Sequence, residues 1–186
     1  MTRVIRCCSL VMLILIAGSV VAGELEGTML PDSAEVGSET LVLNGMGLRK
    51  KLFIKVYVAG LYLPAKESDG AAILAADTPR RLVMDFKFDV SAGKMCGAWD
   101  ESLEGNTPDA SPEVREQFET LCSWMEDLDK GDQLVISYVP GAGTTIEVKG
   151  ENKGSLAGKP FADALFASWL GPAPPSKGLK KGLLGS

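Results

Sequence analysis

Apolar positions change period several times along the chain, and each change marks an element. Residues 24–38 are polar and turn-rich and read as a leader into the fold. Thr40 to Leu48 (TLVLNGMGL) reads as a strand with Asn44-Gly45 as a bulge or turn signal inside it. Lys51 to Leu63 (KLFIKVYVAGLYL) is the strongest strand signal. Its even and odd positions are both apolar, apart from Lys51 and Lys55, which is the pattern of a strand buried on both faces. Arg81 to Phe88 alternates instead. Leu82, Met84, Phe86 and Phe88 stand against Val83, Asp85 and Lys87, predicting a strand with one wet face.

Helical spacing appears between these runs. Ser68 to Ala76 reads as a short helix stopped by Thr78-Pro79. Ser91 is placed to cap a helix reaching about Leu103, with Ala92, Met95, Cys96, Trp99 and Leu103 along one stripe. Gly105 to Asp109 reads as a loop, and Pro112 opens a second helix with Val114, Phe118, Leu121, Met125 and Leu128 as its stripe. Asp132 to Val139 reads as a strand, Pro140 to Gly143 as a turn, and Thr144 to Lys149 as a strand that Gly150-Glu151-Asn152 turns again. Pro160 opens a last long helix with Phe161, Ala164, Leu165, Ser168 and Trp169 near one face. Pro172, Pro174 and Pro175 break it, and Ser176 to Leu184 suits a small terminal helix. Hairpin turns dominate and crossovers are scarce. The expected class is α+β, an antiparallel sheet with helices on one face.

The first 22 residues change the picture of where the chain works. Arg3 and Arg6 precede an apolar run from Cys7 to Val21, and small residues end at Ala22. This has the form of a secretory signal, with an uncleaved anchor as the alternative. The run is short for a spanning helix, which needs roughly 20 apolar residues. Residues 1–22 are therefore read as a signal peptide and 23–186 as a single domain that is periplasmic or secreted, with no membrane span left after cleavage. Losing two arginines takes the net charge from −5 to −7, and a pI near 4.9 argues against nucleic acid as a partner.

The chain has 0 His, which removes imidazole bases, Ser-His-Asp and Cys-His nucleophiles and His-containing metal sites. No metal or cofactor is expected. After cleavage only Cys96 and Cys122 remain, on two facing helices and at similar distances from the loop between them. A disulfide and two buried thiols are both compatible with that placement. Gly141-Ala142-Gly143-Thr144-Thr145 lacks the Gly-Lys ending of a phosphate loop and reads as a hairpin turn. Arg49 is either a bidentate anion ligand or a solvated turn cation. Tyr57 shares strand parity with Arg49, but eight residues of straight strand span about 26 Å. The two can share a ligand only if the chain folds back near Lys50-Lys51. Ser168 either bonds back to a helix carbonyl or lines a cavity. Asn106 reads as a helix terminator or turn residue.

Several segments in order resemble the chalcone isomerase-like family. They are Leu43 to Arg49 (LNGMGLR), Lys55 to Leu63 (KVYVAGLYL), Pro79 to Phe86 (PRRLVMDF), Gly158 to Gly171 (GKPFADALFASWLG) and the tail Leu183-Leu184-Gly185. The resemblance covers about residues 28–185 and looks like an exported bacterial branch. It implies an open-faced β-sandwich, a large antiparallel sheet carrying a layer of helices, with the ligand cleft between the two. It also implies an electrophilic Arg, matched by Arg49, whose guanidinium stabilises enolate charge without proton exchange. Ser168 matches a C-terminal Thr. Tyr57 falls where the plant enzymes carry a Thr, Cys96 about where they carry a Tyr, Trp99 where they carry a Lys, and Leu103 where spacing suggests an Asn. Relatives that bind fatty acids hold the carboxylate with an Arg and hydroxyls.

The leading expectation is a non-catalytic binder of a small amphipathic carboxylate such as a fatty acid. Arg49, Tyr57 and Ser168 would take the head group, and Cys96 and Trp99 would line the wall. An intramolecular lyase using Arg49 is one alternative, and an interaction module without a small ligand is the other.

Overall fold

A computed structural model describes residues 21–186. Apart from Val21 and Ala22 at the start of the first strand, the expected signal segment lies outside the described residues. A two-stranded hairpin, β1 (Val21–Leu25) and β2 (Thr28–Pro31), precedes a seven-stranded antiparallel sheet. The sheet contains β3 (Ser33–Val36), β4 (Glu39–Lys51), β5 (Ile54–Leu63), β6 (Arg80–Phe86), β7 (Gln133–Val139), β8 (Gly143–Val148) and β9 (Glu151–Leu156), lying side by side in chain order. The helices are α1 (Gly70–Ala75), α2 (Ala92–Asn106), α3 (Pro112–Ser123), α4 (Lys159–Leu170) and α5 (Lys177–Leu183). The class is α+β, a large antiparallel sheet with its helices layered on one face.

Besides α3, which ends at Ser123 and leaves the expected stripe residues Met125 and Leu128 buried in the segment after it, four elements differ from the expectation. The 24–38 leader is not irregular: it forms β1, β2 and β3. These strands bring Leu30 and Val36 over the outer sheet face, where they join Leu41, Leu43, Tyr62, Val83 and Val135 in a second small core. The expected wet face of β6 is therefore dry at Val83. Its polar residues within β6 are Arg81, which donates to Ser137 Oγ at 3.2 Å and pairs with Glu147 at 3.7 Å, and Asp85, which accepts from Thr28 Oγ1 at 3.1 Å and pairs with Lys87 at 2.7 Å. Phe88 lies beyond the end of β6 and is exposed. Beyond Gly150 the chain continues as β9, a weakly apolar edge strand (ENKGSL) whose burial pattern gives little period to read.

The fourth difference matters most for function. Lys51 to Leu63 is not one strand. Leu52 and Phe53 form a two-residue turn, with Lys51 paired to Ile54 across it. Apolar side chains at the tip hid the turn, because neither residue is the Gly or Asn that hairpins favour. From Tyr57 to Leu63 the strand is buried throughout, as its two-sided apolar pattern requires.

Bulges shape β4. The register shifts between Leu43 and Gly45, so Asn44 is the extra residue. Its side chain donates to the carbonyls of Glu67 (2.9 Å) and Leu183 (2.8 Å) and accepts from Glu67 N–H at 2.8 Å. Beyond it, Gly45 and Gly47 let α5 lie directly on the strand. A Cβ on Gly45 would come within 2.8 Å of the Leu183 carbonyl oxygen, and one on Gly47 would reach the Leu179 carbonyl group.

On the inner face α4 is buried on nearly every side. Arg80 holds it there. This side chain is 0% exposed, stacks between the rings of Tyr138 and Phe166 at 4.9 and 4.8 Å, donates to Ile73 O at 3.1 Å and pairs with Asp163 at 2.5 Å. Lys159 donates to both Leu74 O and Asp163. The two cations tie α1, α4 and the sheet into one unit through Lys159, Asp163 and Phe166, in the part of α4 that leads to Ser168 and Trp169.

Candidate functional site

Folding back at Leu52-Phe53 sets Arg49 directly opposite Tyr57 in the β4–β5 register. Residues opposite one another in an antiparallel pair project to the same face, with Cβ atoms roughly 5 Å apart. The separation of about 26 Å along a straight strand is thus abolished. A further register shift, a bulge, follows between Arg49 and Lys50.

These residues open onto a cleft of about 670 Å³ between the sheet and the helices. Arg49 and Tyr57 come from the sheet, Trp99 from α2, and Ser168 and Trp169 from the end of α4. Val56, Met84 and Met95 make much of the remaining inner surface apolar. Ala173, Pro174 and Pro175 form one rim, held by Asn106: its side-chain carbonyl accepts from Ala173 N–H at 2.8 Å and its amide donates to Ala173 O at 3.2 Å. Asn106 thus belongs to the last turn of α2, which extends past the expected loop start, and clamps the proline segment. The volume lies in the range of small-molecule sites.

The polar groups are mostly donors. Tyr57 is 7% exposed, and its hydroxyl oxygen accepts the Trp169 indole N–H at 3.1 Å. That bond leaves the phenol hydrogen to donate elsewhere. Burial pushes the Tyr57 phenol up to about 12, against smaller opposing effects of the Trp169 bond and the Arg49 charge, so it is a neutral donor at ordinary pH. Ser168 is 3% exposed, and its Oγ has no hydrogen-bond partner among the described residues. A buried hydroxyl without a partner costs about 1–3 kcal/mol. Arg49 is half-buried, donates to Lys50 O at 2.5 Å and has no carboxylate partner among the described residues. Asp89 and Glu101 line the outer mouth, where both are exposed. A guanidinium and two hydroxyl donors above an apolar floor suit a carboxylate or enolate on an apolar body.

Cys96 is placed differently from the expectation. It is absent from the cleft lining and turns toward Cys122 on α3, with a Cα separation of 5.4 Å. That separation is normal for a disulfide. Trp99 does line the cleft, and Leu103 is buried behind it in the core. The reading from sequence missed Asn106 as a rim clamp, Trp169 as the partner of Tyr57 and Arg80 as the anchor of α4. Only Trp169 carried a local signal, one residue from Ser168. A smaller depression of about 280 Å³ beside Gly23, Met46 and Lys66 offers no comparable donor set, because the Lys66 ammonium is given to the carbonyls of Leu43 and Asn44.

A fatty-acid binding protein of Arabidopsis thaliana has a similar solved structure, with a TM-score of 0.65 and 16% sequence identity, over 85% of this chain and 92% of that one. At that identity the likeness is one of fold. No curated protein matches the sequence. A family model described as chalcone isomerase-like matches residues 22–185, and the chain belongs to that family.

Proposed function

We propose that the protein is a non-catalytic binder of a small amphipathic carboxylate, a fatty acid being the simplest case. The observation that carries this is the unpartnered Ser168 hydroxyl, opening with Arg49 and the Tyr57 phenol onto one apolar cleft of about 670 Å³. Arg49 holds the carboxylate by charge-assisted hydrogen bonds, Tyr57 and Ser168 donate to its oxygens, and the alkyl body lies along the floor. The likeness to a fatty-acid binding protein supports the same reading. Export belongs to the proposal: the chain is cleaved after Ala22 and works in the periplasm or outside the cell. Recovery of an uncleaved cytoplasmic chain from its host would count against export.

The binding test uses the delipidated full-length mature chain, a fluorescent fatty acid and competition by a panel of chain lengths. Saturable binding is expected. Hydrogen bonds to charged groups contribute about 1.5–3 kcal/mol, so Arg49→Ala should raise Kd at least tenfold. No saturable binding, or equal affinity in Arg49→Ala, sinks the proposal. The Arg49 guanidinium also favours a second reading, an intramolecular lyase that stabilises an enolate. Turnover of a chalcone above the spontaneous rate, lost in Arg49→Ala, would replace the first reading with the second.

A further inference from the structure

The β4–β5 hairpin tip does not behave like an ordinary surface turn. Leu52 is 88% and Phe53 100% exposed, the two most exposed large apolar side chains among the described residues. Ile54 and Phe88, 43% and 47% exposed, continue the apolar surface to the cleft mouth, which both line. Leu52 adopts φ +55°, a left-handed conformation that costs a bulky residue energy and that Gly would adopt freely. An apolar residue therefore stands where both solvation and backbone conformation disfavour it.

The surrounding charge identifies the partner. Arg49, Lys50 and Lys51 run consecutively into the tip, and Lys55 leaves it. Lys55 is partly spent on Glu26 at 2.5 Å, but Lys50 and Lys51 make no ion pair among the described residues. The chain as a whole carries −5. A basic collar around an apolar tip, on an otherwise acidic protein, is complementary to a bilayer with anionic headgroups. The lysines lie at headgroup level, and Leu52 and Phe53 enter the acyl boundary.

We infer that the Lys50–Lys55 hairpin tip is a docking element for an anionic lipid bilayer. The tip adjoins the cleft mouth, where Lys51 and Lys94 stand beside the exposed Asp89 and Glu101, so docking brings that mouth near the membrane. The value of that placement for collecting or delivering a lipid rests on the cleft reading above, whereas the docking itself does not.

The test is flotation of the full-length mature chain with two sets of vesicles, phosphatidylcholine alone and phosphatidylcholine mixed with phosphatidylglycerol, at low and high salt. Binding to the mixed vesicles at low salt is expected, with loss at high salt. Lys50→Gln should weaken partitioning about fivefold, the contribution of one lysine near an anionic surface. Leu52→Gly with Phe53→Ser should weaken it at least about tenfold, from the lost apolar insertion. Neither Leu52 nor Phe53 lines the cleft, and Gly suits the φ of Leu52, so this variant should keep its fold and its fatty-acid affinity. Unchanged circular dichroism and fatty-acid binding are the controls. The docking proposal is overturned by absence of vesicle binding, by equal binding to both vesicle types, or by binding that the tip variant leaves intact. It is likewise overturned if Phe53→Ser instead abolishes a dimer seen by light scattering, which would make the tip a contact between copies. A chain that floats with vesicles but binds no fatty acid would keep the docking element and remove only the cleft reading.

Discussion

Gly47→Ala tests the contact that seats α5 beside Arg49. The new Cβ would overlap the Leu179 carbonyl oxygen and approach its carbonyl carbon to 3.1 Å. Both are backbone atoms, so no side-chain rotation relieves the contact and α5 must move. Its anchors are Leu179 and Leu183, each 0% exposed. Burial of a Leu side chain is worth about 1.5–3 kcal/mol, so complete detachment of α5 would cost about 3–6 kcal/mol. A helix that shifts and stays packed would cost about 1–3 kcal/mol, the usual range for overpacking. The expected loss therefore lies between about 1 and 6 kcal/mol, read as a fall in the urea midpoint at unchanged m. Gly97→Ala in α2 is the matched control, because nothing lies within 4 Å of its Cβ. That variant should gain about 0.5–1 kcal/mol from helix propensity alone. A Gly47→Ala protein as stable as the parent would refute the idea that this glycine exists to admit the helix.

Three further outcomes follow from the same physical argument. Cys96 and Cys122 are 26 residues apart, and closing a loop of that length is worth about 3.5 kcal/mol on the chain-entropy scale; Cys96→Ser/Cys122→Ser should lose up to that much, and two free thiols in the untreated native chain would show that no bond exists. Burial pushes all 3 tyrosines, Tyr57, Tyr62 and Tyr138, up to about 12, while unfolded phenols ionise near about 10. The native chain thus keeps protons that the unfolded chain has released, so the stabilisation is complete below about pH 10 and is lost as pH rises toward 12; a native phenolate absorbance transition near 10 would contradict this. Asp163→Ala leaves the buried Arg80 cation without its carboxylate and should cost about 3–5 kcal/mol in chemical denaturation, and a loss below about 1 kcal/mol, the scale of a surface pair, would mean that the aromatic stack and the Ile73 carbonyl suffice.

Much of the fold was readable because burial leaves a period in the sequence. The helix stripe of α2, that of α3 as far as Leu121, and the double-sided apolar run from Tyr57 to Leu63 follow from it, whereas Met125 and Leu128 keep the helical spacing but are buried beyond the end of α3. Leu52-Phe53 was hidden for the converse reason. An exposed apolar turn has the letters of a strand, and nothing local reports that Lys51 pairs with Ile54. The same turn decided the site, since Arg49 and Tyr57 could meet only through it. Ser168 was open to two readings because its outcome depends on the carbonyl four residues back and on the cleft together. Cys96 stands at the family's active-site position in sequence, yet its side chain turns to Cys122 on α3 while Met95 and Trp99 of the same helix line the cleft, a difference of facing that spacing alone does not report. Arg80 gave no signal as a structural cation, because the rings that sandwich it come from β7 and α4, far along the chain.

The Cys96–Cys122 pairing joins α2 to α3 and makes no covalent link to the sheet or to α4. Both helices belong to the single excursion between β6 and β7, so the staple lies wholly within one wall of the cleft. It stiffens that wall as a paddle and leaves the distance from wall to floor to weaker links. Those include the Val90–Leu128 bridge at the base, the packing of α2 on α4, the edge-on contact of Phe118 with Phe161 at 5.3 Å, and the Asn106 clamp on Ala173 at the rim. Oxidation therefore sets the shape of the wall, while the width of the gap is set by non-covalent contacts, of which the Asn106 clamp at the rim is the one nearest the ligand space.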